Sequence, residues 1–86
     1  MDRPFDPYYV WLGIPPAEQP PDHYRLLGIP RFERDPVVIE NAADRQTMHL
    51  RSLAAGPQAD ASQRLLNEVD AARVCLLDPA KKDEYD

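Results

Sequence analysis

The strongest pattern of apolar positions lies near the carboxyl end of the chain, between Asp60 and Leu77. Apolar side chains recur there at helical spacing, at Leu65, Leu66, Val69, Ala72, Leu76 and Leu77. Such spacing predicts an amphipathic helix with one buried face. Asp60 or Ser62 is expected to cap its first turn, because either side chain accepts hydrogen bonds from free backbone amides. Asp78-Pro79 is expected to end the helix, because proline carries no amide proton.

A second apolar pattern supplies the partner surface for this helix. Asp35-Pro36 predicts a helix start, with aspartate as the cap and proline in the first turn. The helix is expected to run to about Ala55, before Gly56-Pro57. The connection to the next helix is then short, which favours two antiparallel neighbours. One face of the helix carries mainly apolar residues: Ile39, Ala42, Gln46, Leu50 and Leu53.

Short elements are expected at the ends of this helical hairpin. The segment Tyr24–Ile29 is apolar and should plug one end of the helix pair. Asp78 is expected to cap a short last helix begun by Pro79. The ring of Tyr85 is expected to lie back on the hairpin and fix the last turn.

The first 22 residues are rich in proline but contain a cluster of aromatic residues. We expect a helical turn over Pro7–Leu12, closed by Gly13 in a left-handed conformation. A polyproline-like run should follow over Pro15–Pro21. Two roles are open for Tyr8, Tyr9 and Trp11: packing on the domain, or forming an exposed aromatic anchor for a partner.

A short motif occurs twice in this half of the chain. Tyr9–Pro15 reads YVWLGIP and Tyr24–Pro30 reads YRLLGIP. Two copies are too few for a repeat architecture. They predict two short helices that end in the same way, at a glycine followed by an isoleucine folded back against the preceding turn.

Composition restricts the classes of protein to which the chain can belong. Its 86 residues make one small domain. The net charge of −5 argues against general nucleic-acid binding, which depends on lysine and arginine meeting phosphates. No run is apolar and long enough for a signal peptide or a membrane span, so we expect a cytoplasmic protein. The single cysteine, Cys75, is expected to be a packing residue.

No constellation of residues indicates catalysis, a metal or a cofactor. His23 and His49 lie far apart in the sequence, and no cluster has the spacing of metal ligands. Ser52 lies one helical turn from His49, but nothing nearby builds an oxyanion pocket. We therefore expect no enzymatic activity.

The carboxyl half resembles a known family. Leu76-Leu77-Asp78-Pro79-Ala80-Lys81-Lys82-Asp83-Glu84-Tyr85-Asp86, with the helix before it, resembles the third and fourth helices of a J-domain, the module that DnaJ-type co-chaperones use on DnaK-type chaperones. His23–Ile29 looks like the first helix of that family, and Ile39 and Ala42 fit its second. The resemblance covers about 23–86. The first 22 residues together with this region also look like the N-terminal segment of some large bacterial proteins.

Two departures from the family pattern bear on function. The resemblance implies a His-Pro-Asp tripeptide after the second helix, where it stimulates the chaperone's ATPase. Arg51-Ser52-Leu53 stands at that place here, and no His-Pro-Asp occurs in the chain. The family's second helix is also strongly basic, whereas residues 35–55 carry three acidic residues against two arginines. The resemblance thus implies the fold without the usual activity.

These observations predict an all-α, J-domain-like antiparallel helical hairpin (23–86) with short flanking helices and a proline-rich N-terminal arm (1–22). We expect a non-catalytic interaction or scaffolding module at the head of a larger bacterial protein. Its partner would be another protein or another domain of the parent chain, not nucleic acid or membrane. The alternative is a divergent co-chaperone that binds a DnaK-type chaperone. The candidate partner surface consists of Arg45, His49, Arg51 and Ser52. Two alternatives stay open for the arm: it packs on its own chain, or it binds another chain.

Overall fold

The structure, a computed structural model, describes residues 4–86. Five α-helices follow one another: α1 (Pro7–Leu12), α2 (His23–Leu27), α3 (Pro36–Arg51), α4 (Ala59–Leu77) and α5 (Pro79–Tyr85). A 3₁₀ turn (Pro16–Glu18) lies between α1 and α2. No strand occurs in this part of the chain. The predicted all-α class is confirmed.

Helices α3 and α4 form an antiparallel hairpin around the core. Two contacts give the direction: Ser62 hydrogen-bonds the carbonyl of Leu50, and Arg73 lies 3.6 Å from Glu40. The facing positions are small or aliphatic, so the helices approach closely and exclude water. Burying each large side chain contributes roughly 1.5–3 kcal/mol. The buried residues of the two helices are Ile39, Ala42, Ala43, Leu50, Ser62, Leu65, Val69, Ala72 and Leu76.

Helix α2 closes one end of the hairpin, as the apolar segment Tyr24–Ile29 predicted. Tyr24, Leu26 and Leu27 are all buried in the shared core. The Gln46 side chain of α3 donates a hydrogen bond to the Leu26 carbonyl at 2.9 Å. This bond satisfies a carbonyl at the end of α2, where the helix itself offers no amide.

Both copies of the repeated motif end their helix at a glycine, with the following isoleucine bonded back to the helix. Gly13 and Gly28 adopt left-handed conformations, with φ of +68° and +74°. The amide of the following isoleucine donates to a tyrosine carbonyl at 3.0 Å in both places, from Ile14 to Tyr8 and from Ile29 to Tyr24, so the first closure spans one residue more than the second. The closure at Gly28 is a Schellman motif, and both closures need a residue that tolerates positive φ. The prediction is confirmed in both places.

The ends of the hairpin helices differ from the sequence prediction. Helix α3 ends at Arg51 rather than near Ala55, because the following amides bond carbonyls three residues back: Leu53 to Leu50, and Ala54 to Arg51. Such bonds tighten the chain into turns. The predicted capping of α4 by Asp60 or Ser62 is also wrong. Gln58 precedes the helix and makes no side-chain cap.

Two further expectations need correction. The run Pro15–Pro21 is not a continuous polyproline segment, because it contains the 3₁₀ turn and a cis peptide bond between Gln19 and Pro20. Tyr85 does not lie on the hairpin: its ring stacks on His23, with centroids 4.3 Å apart, and remains 41% exposed. Tyr24 already fills the end of the hairpin, which leaves Tyr85 the outer side of α2.

Candidate functional site

The outer side of α3 carries the predicted partner surface. Arg45, His49 and Ser52 follow one another at helical spacing and are exposed, and Arg51 is exposed beside them. Met48 lies within this set and is 73% exposed. We call these five residues the Met48 face. Met48 was not among the residues predicted for the partner surface. It lies two positions from buried Leu50, which places it on the opposite side of the helix.

His49 has a structural task within the Met48 face. Its Nε2 atom lies 2.8 Å from the backbone carbonyl oxygen of Trp11. A carbonyl oxygen only accepts, so the ring holds its proton on Nε2 and donates to the arm. His49 therefore ties α1 to α3.

The arm aromatics divide between two sides of α1. The Tyr8 hydroxyl donates to the carboxylate of Glu68 on α4. Burial, and then this carboxylate, raise the pKa of Tyr8 to about 12. Trp11 also packs against the core, and its ring meets Phe5 edge-on at 5.1 Å. Tyr9 points away and stays 46% exposed. Of the three predicted anchor residues, Tyr8 and Trp11 hold the arm in place and Tyr9 remains open.

A polar cluster joins α5 to α2. The Tyr24 hydroxyl donates to one carboxylate oxygen of Asp86, and the Lys82 ammonium lies 2.6 Å from the other. The bond from Lys82 and then that from Tyr24 lower the pKa of the Asp86 carboxyl. The Asp86 bond raises the pKa of Lys82, and burial raises that of Tyr24. The His23 amide donates to the Tyr85 hydroxyl at 2.9 Å.

Two grooves open on the surface at different ends of the hairpin. One, of about 680 Å³, lies along the arm, with Phe5, Tyr8 and Tyr9 in its walls and Arg64 at its edge. The other, of about 600 Å³, lies between the loop before α3 and helix α5. We call it the α5 groove. Its lining consists of Phe32, Arg34, Pro36, Leu76, Leu77, Pro79, Lys82, Asp83 and Asp86.

Within residues 4–86, neither a metal-ligand group nor an unpaired buried polar side-chain atom is found. No group of three histidine, cysteine or acidic side chains is placed to hold a metal ion within 4–86. Every buried side-chain polar atom there has a hydrogen-bond partner. Cys75 is half-buried, with its sulfur 3.8 Å from the Lys81 carbonyl. None of the helices in this range is both long and apolar enough to cross a membrane.

Comparison of the chain with protein-family models, with curated proteins and with solved structures found no match. The all-α architecture therefore stands on the structure alone. The resemblance to J-domains rests on the motifs of the sequence.

Proposed function

We propose that this chain is a cytoplasmic, non-catalytic protein–protein interaction module with a J-domain-like fold, and that the Met48 face is its main partner surface. The observation that carries the proposal is the exposure of Met48 between two arginines. The core of the hairpin is complete without this side chain. Methionine and arginine are enriched at interfaces, where a flexible apolar side chain adapts to its partner and arginine supplies directed hydrogen bonds.

The charge of the Met48 face supports an acidic partner. Arg45 and Arg51 make no ion pair with any residue in 4–86. Asp44 is the acidic residue next to them in the sequence. The face is thus locally basic on a chain whose net charge is −5. An acidic surface would be steered towards it, and like-charged surfaces would be repelled.

The arrangement of elements supports the J-domain-like part of the proposal. An antiparallel hairpin is plugged at one end by a short tyrosine–leucine helix, and an Asp-Pro step leads into a short last helix. The turn that begins at Arg51 occupies the place where the resembling family carries its ATPase-stimulating tripeptide. Its replacement by Arg-Ser-Leu favours binding without stimulation.

Site-specific photo-crosslinking tests the Met48 face. A photoreactive amino acid replaces Met48 in the protein expressed in its own cells, and Gln63, exposed on α4, takes the same group as the matched control. We expect one major protein adduct from position 48. Its yield should fall about tenfold when Arg45 and Arg51 are both changed to glutamate, because each reversal turns attraction into repulsion. Equal adducts from positions 48 and 63 would contradict the proposal.

A divergent co-chaperone is the second candidate. The two unpaired arginines of α3 favour it, because they keep basic charge on the helix that the resembling family presents to an acidic chaperone groove. The assay measures ATP hydrolysis by a DnaK-type chaperone with and without this protein. Stimulation that is lost in Arg51→Ala would establish the second candidate and overturn the first. An unchanged rate of ATP hydrolysis, with the crosslink from position 48 still formed, would support the interaction module.

A further inference from the structure

The loop before α3 holds an aromatic residue in a strained conformation. Phe32 has φ of +66° and is the only non-glycine residue in 4–86 with positive φ. A bulky side chain disfavours this region of backbone space. The Phe32 ring meets the edge of Tyr24 at 5.9 Å and carries the Arg31 guanidinium over its face at 5.1 Å. It nevertheless remains 51% exposed, so burial does not account for the strain.

Phe32 forms one lip of the α5 groove. Five of its nine lining residues are apolar: Phe32, Pro36, Leu76, Leu77 and Pro79. Its volume, about 600 Å³, falls in the range of pockets that bind ligands. Helix α5 forms the other lip and buries no side chain of its own. The groove is therefore an open apolar channel between a loop and a helix.

Charged residues line both sides of the groove: Arg34 on the loop, and Lys82, Asp83 and Asp86 on the side of α5. On the loop, the Glu33 and Asp35 carboxylates accept hydrogen bonds from backbone amides. Arg34 makes no ion pair to any residue in 4–86, although its charge contributes to the lowered pKa of the Asp86 carboxyl. On α5, Lys82 pairs with Asp86, and Asp83 has no ion pair within the same range. An apolar channel thus runs between Arg34 on the loop and Asp83 on α5.

We propose that the α5 groove docks an amphipathic helix of a partner protein. The partner's aliphatic stripe would fill the channel, with an acidic edge against Arg34 and a basic edge against Asp83. A helix presents this combination naturally, because residues at i, i+3 and i+4 form a stripe with a separate edge on each side. The site is independent of the Met48 face. Pro36 and Met48 lie 12 residues apart on α3, or about 18 Å along its axis.

Three synthetic helical peptides test this proposal. All share one leucine stripe; the first carries glutamate on one edge and lysine on the other, the second lysine on both edges, and the third glutamate on both. Fluorescence anisotropy measures their affinity for the whole chain. Wild type should prefer the mixed peptide by about tenfold, because each alternative places one like charge against a lip. Arg34→Glu should shift the preference to the lysine peptide, and Asp83→Lys to the glutamate peptide.

A further variant separates binding from folding. Phe32→Gly removes the exposed ring and accepts the positive φ without strain, so the fold should survive while affinity for the mixed peptide falls about tenfold. Met48→Ala is the control for loss of an exposed apolar side chain and should leave the affinity unchanged. Amide shift changes on peptide addition should concentrate in residues 32–35 and 76–83.

Three outcomes would overturn the proposal. One is the same order of peptide preference in wild type and both charge variants. Another is shift changes confined to the arm or to the Met48 face. The third is a change in the amide shifts of the α5 groove when the protein concentration is raised without peptide. A second copy of the chain would then be the occupant of the groove. None of these outcomes bears on the crosslinking test of the Met48 face.

Discussion

The hydroxyl of Ser62 offers the most direct test of how the hairpin is held together. It is fully buried and donates to the Leu50 carbonyl at 2.7 Å. That carbonyl also accepts from the Leu53 amide at 3.1 Å, at the point where α3 gives way to turns. Ser62 therefore supports the last turn of α3 from the facing helix.

The magnitude for Ser62→Ala follows from these contacts. Loss of a buried hydrogen bond, with a carbonyl left partly unsatisfied, costs about 1–2 kcal/mol. Alanine has the higher helix propensity, which returns up to about 0.5 kcal/mol. The free energy of unfolding should thus fall by about 0.5–1.5 kcal/mol. In a domain of this size each 1 kcal/mol corresponds to roughly 4–8 °C in melting temperature.

Ser52→Ala is the matched control for this prediction. The Ser52 hydroxyl is exposed and, from the position just after α3, donates to the His49 carbonyl in the last turn of that helix at 2.6 Å. Its loss should change stability by less than about 0.5 kcal/mol. Urea unfolding followed by circular dichroism at 222 nm measures both variants. If Ser62→Ala is as stable as Ser52→Ala, the bond between the helices does not support the hairpin as we argue.

Three other predictions concern the glycine closures and the arm. Gly28→Ala should lower the free energy of unfolding in urea by about 1–2 kcal/mol, because a Cβ is strained at φ of +74°. Crowding is not the cause, since the nearest atom is 3.9 Å away. Gly56→Ala is the control and should be close to neutral. The pKa of Tyr8 is raised on folding from 10.0 to about 12, so its contribution to stability is complete below pH 10 and is lost as pH rises towards 12. When unfolding is measured as a function of pH, Tyr8→Phe should remove the part of the alkaline loss of stability that comes from Tyr8. Tyr9→Phe should leave that loss unchanged. His49→Ala should increase acrylamide quenching of the single tryptophan by loosening the arm, and His49→Gln, which keeps a donor, should restore protection; equal quenching in both variants would refute the tether.

The sequence by itself determined much of the local structure of this protein. The helix starts at Asp35-Pro36 and Asp78-Pro79 appear as the pattern predicted, with both aspartates accepting from backbone amides. The two glycine closures also follow the motif. Helical periodicity, caps and closures depend on residues within about six positions of one another. A short stretch of sequence therefore contains the residues that cause them. The buried stripe of α4 was predictable for the same reason.

Tertiary structure alone decided the surfaces on which the functional proposals rest. Ser62 bonds a carbonyl twelve positions away, His49 one that is 38 positions away, and Tyr8 a carboxylate 60 positions away. The left-handed backbone of Phe32 has no signal in the local sequence, because no glycine or asparagine marks it. Contacts of this kind depend on how finished helices are placed against one another. That placement is set by the summed packing of the core, which no short stretch of sequence encodes.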